Sequence, residues 1–437
     1  MNVEQISTIL VICVTFSFYN MYGELTKKQF WLLVFCAYGS MFGQGFIDNT
    51  RSVTYPLIRD DLHLSSKRYG MLQAMAQFSY LVWSLLTAMS LQTLGYKVII
   101  LLAFFISMLG CVGTAFVNNF WIMFLFQFVS CAGIGVLDDA PHSISSILFK
   151  SNTGVLMLLL HSCYGIGAIV GPAYAGVVSH YLPQYSFRGI SILECVPLLI
   201  MALIILCIPF AIKKPKTEEQ EKNHNGLTVK TALINPMVWL QSLILILMTT
   251  GERATGAWGG LYLEDVLHLR PDVEGAWFNS CFYIAFTLAR LVGGFLVDWI
   301  GAFTTEYIVL TCAAIVFTVG LSVGKAGLYI LPFAGAFVAF FWPTFIVTCM
   351  RYWGEDAAVP VSVILPIQAL IGIVIQLILG WLNDTFGHSC AYWATVPAIL
   401  AALVLFFIFH MILLRKEKEA KQQNEQLLPK DITVESN

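Results

Sequence analysis

Ionisable side chains occur inside stretches of this chain that are otherwise almost entirely apolar. The densest example is GIGVLDDAPH (133–142), in which Asp138 and Asp139 are adjacent. A charged side chain at the centre of a bilayer-spanning helix costs about 2.5–3.5 kcal/mol, so intramembrane carboxylates are functional candidates by default. Because burial disfavours the charged form, such a carboxyl can alternate between protonated and ionised states. The chemistry expected here is proton binding.

A second acidic group lies in GQGFIDNTRSVTYP (43–56), where Asp48 and Arg51 are three residues apart on one helical face. They form either an internal ion pair or a site where Asp48 faces a central cavity. We predict Asp48 and Asp138 as proton-coupling residues. Adjacent helical positions diverge by about 100°, so only one of the two neighbouring aspartates is expected to face the cavity. Asp139 is then expected to pair across a helix seam or contact the substrate.

Other buried polar groups suggest a ligand. Pro141 is expected to break its helix locally beside the aspartates. Amides donate and accept hydrogen bonds while indole rings stack on C–H faces, which suits a polyhydroxylated ligand. Bonding between helices is the alternative for these residues. The predicted substrate-binding set is Arg51, Gln73, Gln77, Asp139, His161, Trp258, Asn279, Trp342, Gln368 and Gln376.

Composition defines the class of protein. Of 437 residues, 58% are hydrophobic and only 11% charged, and the mean hydropathy is +0.76. Apolar stretches of 18 or more residues recur along the chain, which predicts a polytopic membrane protein. The net charge of −2 and the lack of a basic cluster argue against nucleic-acid binding. Eleven scattered cysteines without a Cys-x-x-Cys pair predict no metal site, and without a nucleotide-binding motif neither an enzyme nor a nucleotide-driven pump is expected.

The apolar stretches predict an all-α membrane fold of two six-helix bundles. The first bundle is 29–212, with spans 29–56, 69–92, 96–116, 119–147, 152–180 and 188–212. The second is 236–414, with spans 236–263, 274–299, 304–324, 327–350, 357–383 and 389–414. A polar linker (213–235) joins them, and a charged tail (415–437) follows. The extension 1–28 holds a further apolar segment, 5–22, which is either an extra membrane span or an interfacial helix; we favour the span.

Lysine and arginine residues indicate the orientation. They concentrate in the linker, in the tail and in the short loops on the same side, so the positive-inside rule places linker and carboxy terminus in the cytosol. The sequence leaves the plasma membrane and internal membranes open. We expect a monomer in a lipid bilayer with a small-molecule substrate.

A short pattern recurs at the ends of several spans. GFLVDWIGAF (294–303) matches AMSLQTLGYK (88–97), and GWLNDTFG (380–387) matches GVVSHYLP (176–183). The acidic residue can cap a neighbouring helix start, and the glycine turns the chain. We therefore predict Asp298, Gly301 and Asp384 as gating or structural residues, together with Glu252, Arg253 and Arg290, each of which needs a partner on another helix.

These motifs resemble the major facilitator superfamily. GFLVDWIG (294–301) is similar to its loop signature, and GIGAIVGPAYAG (165–176) to its fifth-helix motif. A closer resemblance is to the fucose–proton symporter family and its fungal and protist relatives, carried by GIGVLDDAPHS, GERATGAWGGLYLEDVL (251–267) and FYIAFTLARLVGGFLVDWIG (282–301). That family places acidic residues at the positions of Asp48 and Asp138.

The resemblance implies alternating-access transport of a sugar with a proton, and no cofactor beyond a proton or another coupling ion. One alternative keeps the fold but carries an organic anion or peptide, whose carboxylate Arg51 or Arg253 would hold. Another is a non-transporting sensor or scaffold.

Overall fold

The computed structural model describes residues 27–148, 153–208, 228–354 and 357–427. Within these ranges all regular secondary structure is helical. The apolar segment 5–22 and most of the linker, 213–227, lie outside the described residues. Eleven of the described helices are long and apolar enough to cross a membrane, in agreement with a polytopic membrane protein.

The first half of the chain forms six membrane helices. They are α1 (Lys27–Asp61), α2 (Ser66–Leu94), α3 (Tyr96–Ala115), α4 in two segments (Phe120–Ser130 and Ala132–Leu148), α5 (Thr153–Tyr181) and α6 (Ser186–Cys207). Below, "linker side" means the end of the molecule with the start of α1 and the end of α6, and "far side" means the opposite end.

The second half follows a short helix, Val229–Ile234. Its helices are α7 (Pro236–Asp265), α8 (Glu274–Ile300), α9 (Ala302–Ser322), α10 in three segments (Gly327–Ile330, Ala334–Val338 and Phe341–Trp353), α11 (Ala358–Phe386) and α12 in two segments (Cys390–Trp393 and Thr395–Leu427). α7 has 30 residues and packs against α1, α11 and α12. It is not among the eleven apolar helices, because polar residues such as Gln241, Glu252 and Arg253 interrupt its apolar run.

The break in α4 differs from the prediction. Pro141 lies inside the continuous segment Ala132–Leu148, and the helix is interrupted at Cys131 instead. There the backbone amide of Gly133 donates to the hydroxyl of Ser107 at 2.8 Å. Because the helix is interrupted, this amide has no carbonyl partner within α4, and the hydroxyl of Ser107 replaces it. The interruption at Cys131 therefore leaves no unpaired amide at this point.

Each half has its own apolar core. In the first half, Phe46, Phe104 and Leu137 belong to one cluster of buried side chains. In the second half, Phe317 and Phe406 belong to another. Helix pairs α2–α11 and α5–α8 then pack the halves against each other, as expected for two six-helix bundles.

Glycines close three of the four repeated segments. Gly95, Gly301 and Gly387 have φ values of 78°, 84° and 114° and end α2, α8 and α11. Only glycine adopts such angles without strain, so the prediction that this glycine turns the chain is confirmed at these positions. The fourth segment, GVVSHYLP (176–183), has no glycine at this point, and the helix that carries it, α5, ends at Tyr181.

The two halves are joined at the far side. Arg59 at the end of α1 bonds Glu264 (3.0 Å) and Asp265 (2.5 and 2.9 Å) at the end of α7. A Cβ on Gly70 of α2 would lie 2.7 Å from the carbonyl oxygen of Gln376 and 3.0 Å from the Cα of Gly380, both on α11. Because side chains are missing at both glycines, the two backbones approach closely. This conformation is closed at the far side.

Candidate functional site

A cavity of about 450 Å³ lies between the two halves. Its volume falls within the range of roughly 300–1,000 Å³ that is typical of small-molecule sites. Charged and polar side chains from both halves form much of its wall: Gln44, Asp48, Asn49, Arg51, Gln73, Gln77, Tyr80, Asp138, Asp139, His142, His161, Tyr164, Thr249, Glu252, Arg253, Tyr283, Arg290, Trp342, Gln368 and Gln376.

Asp48 has partners on two helices. Its carboxylate forms an ion pair with Arg51, one helical turn away, and accepts a hydrogen bond from the hydroxyl of Tyr164 on α5 at 3.1 Å. Arg51 also donates to the sulfur of Cys131 at 3.4 Å and lies over the ring of Tyr55. Asp48 therefore takes part in an ion pair and lines the cavity at once, so the two readings of this residue are compatible.

Asp138 and Asp139 both line the cavity, contrary to the expectation that only one would face it. Asp138 accepts from the hydroxyl of Tyr80 at 2.9 Å, and Asp139 accepts from the hydroxyl of Ser84. Tyr80 and Ser84 are one turn apart on α2. Each of the two aspartates is thus hydrogen-bonded to a different turn of α2. With these partners, both carboxylates lie in the cavity wall although they point in different directions from α4.

Two histidines continue the site from Asp138. Nδ1 of His142 lies 3.4 Å from a carboxylate oxygen of Asp138, and its Nε2 lies 3.4 Å from Nε2 of His161 on α5. The ring of His161 is 6.0 Å from that of Trp342 on α10. The sequence predicts His161 and Trp342 as ligand-binding residues, and the structure places both in the cavity wall beside the acidic pair.

The three residues on α7 and α8 that were assigned to gating or structure also line the cavity. Arg253 donates to the amide oxygen of Gln77 across the cavity at 2.7 Å. Arg290 donates through Nε to the carbonyl oxygen of Ala339 at 3.2 Å. The two arginines therefore have partners on other helices, and both also line the cavity. Glu252 lines the same cavity.

Two of the predicted ligand-binding residues are packed in the interior instead. Trp258 is 1% exposed, and its indole nitrogen donates to the side chain of Gln376 at 2.8 Å. Asn279 is fully buried and donates to the carbonyl oxygen of Gly275 at 3.0 Å. Trp258 follows the alternative, hydrogen bonding between helices. Asn279 instead bonds to the backbone of its own helix, α8.

Three tyrosines in the wall were not singled out from the sequence: Tyr80, Tyr164 and Tyr283. The sequence does contain a pattern that points to Tyr80, because Gln73, Gln77 and Tyr80 lie at helical spacing on one face of α2. Tyr164 likewise lies three residues after His161. Tyrosine is common in apolar segments, so its hydroxyl is recognised as functional only when a carboxylate is seen beside it.

The remaining gating residues lie at the ends of helices. Asp384 accepts hydrogen bonds at 2.8 Å from the backbone amides of Ser66 and Lys67 at the start of α2. This is the cap that the repeated pattern predicts. Asp298 is exposed at the linker-side end of α8. Within the described ranges no group of three His, Cys, Asp or Glu side chains is arranged to hold a metal ion.

At the far side, Asp272 in the loop between α7 and α8 connects this loop to α5. It accepts from Ser179 at 2.8 Å and from Arg270 at 2.6 and 3.1 Å. Burial acts to raise the pKa of this carboxyl, but the bonds from Arg270 and Ser179 outweigh it, so the pKa is lowered below its ordinary value.

Comparisons with known proteins agree with this architecture. The model of the Major Facilitator Superfamily matches residues 30–364. The L-fucose–proton symporter of Escherichia coli (strain K12) is 20% identical over 392 residues, which are 82% of this chain and 88% of that one. An uncharacterised transporter of the same type from Yersinia pestis is 24% identical over 241 residues, 55% of this chain and 59% of that protein, so the chain matches less than two thirds of its length.

The fold has a solved counterpart in the nucleoside transporter NupG, with a TM-score of 0.70. That likeness covers 87% of this chain and 99% of the other at 16% identity, and it bears on the fold alone. The helices form two bundles with a polar cavity between them, and the family match spans most of their length. The chain therefore belongs to the major facilitator superfamily of secondary transporters, and it resembles the fucose–proton symporter within that family.

Proposed function

We propose that this transporter moves a polyhydroxylated solute, a sugar or a close derivative, together with a proton. The observation that carries the proposal is the pairing of two of the three cavity aspartates with a tyrosine, Asp48 with Tyr164 and Asp138 with Tyr80. A phenolic hydroxyl donates to an ionised carboxylate and can accept from a protonated one. Each pair therefore accommodates both forms of its carboxyl without breaking the site.

The wall opposite these carboxylates suits hydroxyl groups. Gln368 and Gln376 on α11 lie in the cavity wall, and Trp342 on α10 supplies an aromatic face. The similarity to the fucose–proton symporter, 20% identity over most of both chains, supports a sugar. We also propose that the linker side faces the cytosol, on the strength of the lysine-rich linker.

Transport by the purified protein in liposomes tests the proposal. Labelled hexoses would be offered with and without an inward proton gradient, to wild type, Asp138→Asn and Asp48→Asn. We expect wild type to accumulate a sugar only with the gradient. The Asp138→Asn protein should retain sugar exchange and lose gradient-driven accumulation, because exchange requires no net proton movement.

Glu419→Gln is the matched control, since Glu419 is an exposed carboxylate near the end of α12, and it should behave as wild type. Gradient-driven accumulation by Asp138→Asn would contradict the proton-coupling assignment. Saturable binding without flux in wild type would favour the sensor alternative.

A further inference from the structure

Charge is distributed unevenly over the cavity wall. The first half contributes three carboxylates, of which Asp48 is paired with Arg51. The second half contributes the guanidinium groups of Arg253 and Arg290 beside the single carboxyl of Glu252. The wall formed by α7 and α8 is therefore the more basic of the two.

Neither of these arginines has a carboxylate partner within 4.0 Å in the described part of the chain, although other arginines there do. Arg253 is hydrogen-bonded to the neutral amide of Gln77. Arg290 is hydrogen-bonded to a backbone carbonyl and lies over the ring of Phe286 at 4.1 Å. These contacts orient the two side chains without neutralising their charge.

A guanidinium group that lines a cavity without a carboxylate in direct contact can bind an anion. Its planar fork of N–H donors matches a carboxylate, and charge-assisted bonds of this kind are about twice as strong as neutral ones. Arg51 does not offer this, because its donors are already directed to Asp48 and Cys131.

We propose that Arg253 and Arg290 form a carboxylate subsite, and that the substrate is an acidic sugar: a polyhydroxylated solute with one carboxylate. This inference rests on the proposed function, because it takes the cavity to be the transport site. The carboxylate binds the α7–α8 wall, and the hydroxyl groups are directed to the glutamines of α2 and α11.

The same arrangement connects the anion to the proton. Arg290, Asp138 and Glu252 line the same cavity. An anion bound there and a proton bound to a cavity carboxyl offset each other's charge, so binding of the two is mutually favourable. The other titratable and charged groups that line the cavity are Asp48 and Arg51 on α1, Tyr80 on α2, Asp139 and His142 on α4, His161 and Tyr164 on α5, Arg253 on α7 and Tyr283 on α8.

Binding to purified full-length protein tests the inference, with thermal stabilisation as the readout. Each acidic sugar is compared with its neutral parent: glucuronate with glucose, and galacturonate with galactose. Glucose 6-phosphate and a dipeptide complete the set. We expect one uronate to bind wild type at least roughly tenfold more tightly than its parent hexose, as a charge-assisted bond implies.

Arg290→Gln and Arg253→Gln should each reduce this preference, measured as the ratio of the uronate affinity to the hexose affinity of the same variant. Arg290→Lys keeps the charge and should keep part of the preference, so loss of the fold is distinguished from loss of the site. Arg68→Gln, at an exposed arginine at the start of α2, is the matched control and should leave the preference intact.

Equal binding of hexose and uronate by wild type would overturn the carboxylate subsite and leave proton-coupled sugar transport standing. A preference for glucose 6-phosphate alone would replace the carboxylate with a phosphate. Binding of the dipeptide alone, or of none of these compounds, would overturn the acidic sugar and the sugar proposal together.

Discussion

Asp384, at the end of α11, caps the start of α2 by accepting a hydrogen bond from the backbone amide of Ser66 at 2.8 Å. The two residues belong to different halves of the transporter. A second bond, from the amide of Lys67, uses the other carboxylate oxygen. The negative charge is also placed at the positive end of the α2 dipole. Closure at the far side therefore includes a helix cap supplied by the opposite half.

Replacing this carboxylate should weaken the closed conformation. Asp384→Asn keeps the shape of the side chain, but its amide nitrogen cannot accept from a backbone amide. A helix cap contributes about 1 kcal/mol, which corresponds to a several-fold shift toward opening at the far side. Pulsed EPR distances between labels at Arg68 and Val273, in a background without the eleven cysteines, would measure the two populations. Glu419→Gln, at an exposed carboxylate near the end of α12, should leave them unchanged, and an unshifted Asp384→Asn protein would show that the cap does not contribute to closure.

The close approach of α2 and α11 can be tested sterically. A Cβ on Gly380 would lie 2.7 Å from the carbonyl oxygen of Ser66 and 3.2 Å from the Cα of Gly70. Because both neighbours are backbone atoms, Gly380→Ala should cost about 1–3 kcal/mol in the closed conformation and increase the open population in the same EPR experiment.

Gly372 on the same helix is the matched control for this substitution. The nearest atom to a Cβ there is the terminal carbon of Ile246, at 3.4 Å. Gly372→Ala should therefore leave the distances as in wild type. Equal effects of the two alanines would indicate a general response of α11 rather than a clash at the interface.

The helices could be predicted from the sequence because the apolar run needed to cross a bilayer is a local property. α7 was predicted from its length, although its polar residues leave it outside the strongly apolar set. The interruption in α4 was misplaced, since it depends on a bond between Gly133 and Ser107 of α3. The residues of α4 alone cannot indicate that the hydroxyl of Ser107 lies beside Gly133.

The acidic residues of the cavity were recognisable because an intramembrane carboxylate is costly wherever it faces lipid. Their partners were not, because the bond between Tyr80 and Asp138 depends on the rotation of α2 relative to α4. The unknown rotation of the helices also explains why Trp258 was wrongly predicted to bind the ligand. An indole on a membrane helix is compatible with a cavity or with the interior, and its contact with Gln376 places it in the interior.

The two tryptophans of the predicted ligand set should behave differently when replaced. Trp258→Phe removes a buried hydrogen bond to Gln376 and should lower the free energy of unfolding by about 1–3 kcal/mol. Because Trp258 does not line the cavity, the choice between substrates should not change. Trp342→Ala removes an aromatic face from the wall and should weaken ligand binding roughly tenfold. Melting temperatures with and without ligand separate the two effects, and a changed substrate preference in Trp258→Phe would place that residue in the site.

Asp272 provides a prediction about pH at the far side. The pKa of its carboxyl is lowered: burial opposes this, and the bonds from Arg270 and Ser179 outweigh burial. A carboxyl with a lowered folded-state pKa stabilises the protein above its unfolded value of about 3.9, and this contribution is lost as the pH falls through the folded-state value. Arg270 is 63% exposed, so solvent screens its share, and the bond with buried Ser179 should be the more important one.

Asp272→Asn should therefore be less stable than wild type at neutral pH by about 1 kcal/mol. The difference should shrink as the pH falls below about 4, because the wild-type carboxyl is then protonated as well. Thermal unfolding followed by tryptophan fluorescence over this range would measure it. Ser179→Ala removes the buried donor and should reproduce much of the loss at neutral pH, whereas Glu419→Gln, at an exposed carboxylate of α12, should cause none. A difference between Asp272→Asn and wild type that stays constant across the range would show that the contribution of Asp272 does not depend on its ionisation.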